Sequence, residues 1–154
     1  MVVTVKSDVI KMLVDCFEQL TTAFQDEEGK DKLASLRTRA RDMPSELVSK
    51  SLAYVITLCA ARGDKDVIEK SLYVNSCSDL LTKLSSDIRN LKKEEFGYSL
   101  YAILLLLSLK NLGLISGGRL SDIIKGSLDN PIIDSTSYIV MDWIKRLAEA
   151  YIKK

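Results

Sequence analysis

The stretch "YSLYAILLLLSLKNLG", residues 98–113, decides the fold. Its run from Leu100 to Leu109 is apolar on every face, with no period-two alternation to suggest a half-buried strand. It is too short to cross a bilayer, which takes about 20 apolar residues. A helix that is apolar all round has to be wrapped by other elements. The stretch therefore predicts a central buried helix from Phe96 to Leu112, stopped by Gly113, inside a helical protein.

The flanking sequence supplies the wrapping. Val9, Ile10, Leu13, Val14, Phe17, Leu20 and Phe24 recur at three- and four-residue steps and predict an amphipathic first helix. Leu33, Leu36 and Ala40 predict a short second helix. Asp42 is expected to cap a third, with Pro44 in its first turn, burying Leu47, Val48, Leu52, Val55, Ile56 and Cys59 and ending at Gly63. Asp64 or Asp66 opens a helix with Val67, Ile68 and Leu72. Ser76 or Ser78 caps the next, with Leu80, Leu81, Leu84, Ile88 and Leu91 on one face, and the two together also fit a single bent helix. Residues 116–131 read as loop, short helix, loop. The last helix is expected to start near Ser135 or Thr136 and to carry Tyr138, Val140, Trp143, Ile144, Leu147 and Tyr151, with Trp143 in the core or an interface. The expectation is an all-α, compact bundle of roughly six to eight helices in a single domain, residues 1–154.

Composition narrows the chemistry. There is no histidine, which removes the commonest general base and metal ligand. Cys16, Cys59 and Cys77 have no metal-ligand spacing. Cys16 and Cys59 sit in apolar helical patterns as small hydrophobes, and with no signal-peptide pattern a reducing cytoplasm is the expected compartment. "SGGR" at 116–119 reads as a turn before it reads as a phosphate cradle, and the acids of "GDKDVIE" at 63–69 read as helix N-terminal residues before they read as a cation site. No enzyme activity, cofactor, metal or membrane span is expected.

The net charge of +1 hides an uneven distribution. Residues 30–50 carry six basic side chains against three acidic ones, and residues 143–154 carry four against one. The candidates for contact with a polyanion are Arg37, Arg39, Arg41 and Lys50 in the first segment and Lys145 and Arg146 in the second. On a helix Arg37 and Arg41 share a face, while Arg39 points about 200° away. The plain alternative is a pair of solvated helix ends.

The order of these segments is similar to a known family. "KLASLRTRARDMPSELVSKSLAYVITLCAARGD" at 32–64, the leucine-rich helix at 98–113 and "STSYIVMDWIKRLAEAYIKK" at 135–154 resemble the small helical subunit of the type III-B CRISPR effector, the fifth protein of the Cmr complex. Family members show a basic stretch running into a proline, here Pro44, then an apolar helix with Leu47, Val48 and Leu52. They close on a Trp-hydrophobic-basic-Arg-hydrophobic-Ala motif, here Trp143, Lys145, Arg146, Leu147 and Ala148. Many members carry Asn-Gly shortly after the proline, where this chain has Lys50 and Ser51. The resemblance implies a non-catalytic part of an RNA-guided, RNA-targeting complex. Copies would stack as a short filament beside the backbone subunits, near the large subunit, and contact guide and target RNA phosphates. A purely structural helical adaptor is the alternative, and a hydrolase ranks third.

Overall fold

The computed structural model describes residues 5–153, and among them every regular element is an α-helix. There are nine: α1 (Ser7–Ala23), α2 (Glu27–Ser49), α3 (Leu52–Arg62), α4 (Lys65–Ser71), α5 (Cys77–Lys83), α6 (Ser85–Arg89), α7 (Lys93–Asn111), α8 (Leu120–Ser127) and α9 (Pro131–Tyr151). α7 is the axis. Every residue from Phe96 to Leu109 is buried, and the helix is packed against α1, α2, α3, α4 and α9. Its two buried serines are satisfied: Ser108 donates to the Leu104 carbonyl at 2.8 Å, and Ser99 accepts the Asp64 N–H at 2.8 Å, whereas the buried Tyr101 hydroxyl has no partner among the described residues. Gly113, at φ 75°, ends the helix in a conformation that costs glycine little.

α2 departs from the sequence reading. The expected break at Asp42 is absent, and one helix runs from Glu27 to Ser49 with Pro44 inside it. Proline removes one backbone donor and ordinarily costs about 3 kcal/mol in a helix interior. Here Met43 and Leu47, one on each side of it, are buried in the core and hold the register. Asp42 is not a cap, because Arg41 and Arg39 engage it instead. The real break comes at Lys50 and Ser51. Ser51 accepts the Tyr54 N–H at 3.2 Å and so caps α3, and Asp134 accepts the Leu52 N–H at 3.0 Å. At the other end Asp26 caps α2 by accepting the Gly29 N–H at 2.9 Å.

Asp64 and Ser76 cap α4 and α5, accepting from Val67 at 3.1 Å and Asp79 at 3.1 Å. The two are separate helices, and a break at Leu84 divides the expected 80–91 face between α5 and α6. α9 begins earlier than its composition suggests. Asn130 accepts the Ile133 N–H at 3.2 Å and Pro131 takes the first helical position, so Thr136 and Ser137 are buried inside the helix. Val48, read as a buried position, is 72% exposed, and Trp143, read as core or interface, is 40% exposed and so is not core. The new boundary of α2 explains the first: Val48 lies on that helix's outer stripe.

Cys16 is not a free thiol as expected. It is disulfide-bonded to Cys77, with Cα atoms 5.2 Å apart, and ties α1 to α5. The reducing-compartment reading loses its simplest support, although Cys59 is a free, buried thiol as expected. Among the described residues no helix is long and apolar enough to cross a membrane.

A candidate cationic cleft between α2 and α9

α2 and α9 pack along each other in opposite directions. The Asp134–Leu52 hydrogen bond ties the start of α9 to the first residue of α3, just past the end of α2, while the later residues of α9 meet the middle of α2. That arrangement brings the two basic segments together. Arg37 and Arg41 from α2 and Lys145 and Arg146 from α9 line one cleft of about 320 Å³, with Glu149 the single acid on its wall. Arg37 and Arg41 share a face because they are four residues apart, as the sequence required.

The pairing within the cleft is partial. Arg41 Nε lies 3.0 Å from Asp42, and Arg146 reaches Glu149 at 3.2 Å and Asp142 at 4.0 Å. All of these groups are well exposed, so such pairs are worth about 0–1 kcal/mol and exchange readily for another anion. Among the described residues neither Arg37 nor Lys145 has a carboxylate within ion-pair distance, and the buried Arg37 Nε has no hydrogen-bond partner. Asp42, Asp142 and Glu149 engage two of the four cations, which leaves Arg37 and Lys145 open to an anion.

The other two candidates lie elsewhere. Arg39 points to the opposite side of α2, where it donates to the Tyr98 hydroxyl, stacks 4.7 Å from that ring and approaches Asp42 at 3.9 Å. Arg62 donates to the same hydroxyl at 3.2 Å, and that hydrogen bond is the main cause raising its pKa above the ordinary arginine value. Lys50 pairs with Glu46 at 3.5 Å and sits 4.7 Å over the Tyr54 ring. Lys32, part of the basic segment by composition, is an interior fastener. Its ammonium donates to the Arg89 carbonyl at 2.6 Å and pairs with Glu28 at 3.2 Å.

Elsewhere the chemistry is thin. A cavity of about 500 Å³ between α1, α2 and the end of α9 sets Lys30 and Lys153 against Glu27 and Asp31, so its charges cancel. No group of three potential metal ligands occurs among the described residues. Burial pushes the Cys59 thiol up to about 12, so it is protonated at neutral pH and is no nucleophile. The "SGGR" glycines form a turn, with Gly118 backed against the Tyr73 ring.

No protein-family model, curated protein or solved structure matches the chain. The sequence held one usable signal for the site, the charge asymmetry. It could not show that the segments meet, because that depends on α2 and α9 packing antiparallel with residues 50–130 between them.

Proposed function

We propose that this chain is a non-catalytic small subunit of a type III-B CRISPR (Cmr) RNA-targeting effector, contacting guide or target RNA phosphates beside the backbone subunits in the cytoplasm. The observation that carries the reading is the convergence of Arg37, Arg41, Lys145 and Arg146 on one cleft from segments far apart in sequence. Solvated helix ends have no reason to converge. Phosphate contacts position a nucleic acid without reading its sequence, which suits cations on a rigid two-helix frame. Arg39 and Lys50 are not part of that cleft, so the reading rests on the other four. A disulfide is compatible with an intracellular protein in hyperthermophiles, where such bonds persist.

A structural adaptor without RNA contact is the second reading. The exposed Leu128 and Ile132, each 56% accessible, favour it as apolar surface suited to a protein neighbour. The test titrates a labelled single-stranded RNA with the full chain at several salt concentrations, by fluorescence anisotropy. The wild type is compared with Arg37→Gln/Arg41→Gln and with Lys145→Gln/Arg146→Gln. Each phosphate contact removed weakens binding alike on all sequences and lowers the salt slope by about 1. Unchanged affinity and slope in both variants would establish the adaptor in its place.

A further inference from the structure

The helix faces that carry the cations of the α2–α9 cleft continue beyond it. Val48 lies seven residues after Arg41 on α2, and Tyr138 lies seven residues before Lys145 on α9. Seven residues of α-helix advance about 10.5 Å and return to within about 20° of the same face. Because the helices run in opposite directions, both steps lead the same way along the groove, toward the end fixed by the Asp134–Leu52 hydrogen bond. Val48 is 72% and Tyr138 46% exposed, so beyond the cations the two helix faces offer an apolar side chain and an aromatic ring, with Asp142, which pairs with Arg146, one turn from Tyr138.

Other exposed rings do not compete for this role. Tyr54 is covered by the Lys50 ammonium, Tyr73 backs onto Gly118, and Trp143 is two residues from Lys145, about 200° around the helix. Among the described residues Tyr138 has no aromatic or cationic partner on its ring.

We infer that the α2–α9 groove binds single-stranded RNA, with its backbone on Arg37, Arg41, Lys145 and Arg146 and an unpaired base stacked on the Tyr138 ring. The inference rests on the RNA reading above and adds the strandedness of the ligand. The charge selects a polyanion. The neighbouring ring and the Val48 side chain need a partner with an open π-face. In a duplex each base is already stacked on both sides, so only the phosphates would be engaged and the apolar stretch would stay wet. Stacking tolerates any base, because every base has a π-face.

The experiment measures anisotropy affinities at several salt concentrations for a labelled single-stranded RNA and for the same strand annealed to its complement. The proteins are the full-length wild type, Tyr138→Ser, Tyr138→Phe and Arg37→Gln/Arg41→Gln, each checked by thermal melts. Tyr138→Ser is expected to weaken single-strand binding about 5- to 150-fold, the worth of one stacked base. It leaves duplex binding and the salt slope unchanged, and Tyr138→Phe keeps wild-type affinity. Wild-type affinity in Tyr138→Ser, or an equal loss on duplex, overturns the inference. If the arginine variant weakens binding and Tyr138→Ser does not, only the stacking assignment falls. If neither has an effect, the RNA reading falls with it.

Discussion

Removing the Cys16–Cys77 bond separates covalent from packing contributions with unusual clarity. Both sulfurs are buried, so reduction leaves the native contacts nearly as they were and acts on the unfolded chain. The bond closes a loop of 61 residues, and the loop-entropy relation puts its contribution at about 4 kcal/mol. That is a large share of the roughly 5–15 kcal/mol total of a typical domain. Guanidinium melts with and without reductant, followed by circular dichroism, should differ by about that amount. The reduced protein should also show a larger m-value, because its unfolded state exposes more surface. The double variant Cys16→Ala/Cys77→Ala should resemble the reduced wild type, less a small packing loss. Alkylation of the denatured, unreduced protein should label one thiol, that of Cys59. Three labelled thiols, or superimposable melts, would refute the argument.

Leu104→Ala, at the fully buried centre of α7, should cost about 2–5 kcal/mol in denaturant melts, against within about 0.5 kcal/mol for Lys83→Ala on the surface. Gly97→Ala should destabilise by about 1–3 kcal/mol, because a Cβ there would meet the Ser35 backbone at 2.9 Å where α2 and α7 touch. Asn130→Ala should cost about 1 kcal/mol by uncapping α9, read as a lower melting temperature. Cys59 keeps its proton in the folded state up to about 12 and loses it earlier when unfolded. Its contribution is therefore complete below the unfolded thiol value and declines as pH rises from about 9 toward 12, by roughly 1 kcal/mol per pH unit. Cys59→Ala should flatten that slope in melts taken between about pH 9 and 11, while the buried Tyr101, whose pKa burial also raises, leaves a residual slope at the top of the range.

The central helix, the caps Asp64 and Ser76 and the facing of Arg37 with Arg41 were legible because each is a local pattern in the chain. Pro44 misled because a strong local rule for breaking helices was overridden by the buried anchors on either side of it. Once that boundary moved, Val48 moved from core to surface. The Asn130–Pro131 start of α9 carried its own signal, a capping residue followed by proline, but the serines and threonine downstream offered equally good caps. The disulfide, the buried Lys32 and the meeting of Arg41 with Arg146 are tertiary facts. Periodicity orders residues around one helix and is silent on which helix lies beside it.

The disulfide also gives the chain a topology. Residues 16–77 form a closed covalent ring, and residues 1–15 and 78–154 hang from it as linear tails. α2 belongs to the ring, whereas α7 and α9 belong to the longer, C-terminal tail, so the cationic cleft has one wall from each. A single peptide cleavage between residues 16 and 77 leaves one unreduced molecule with both walls still joined. A single cleavage in the loop between α8 and α9 divides the same molecule in two and sends the walls to different pieces. Limited proteolysis under non-reducing conditions thus distinguishes damage that the cleft survives from damage that dismantles it.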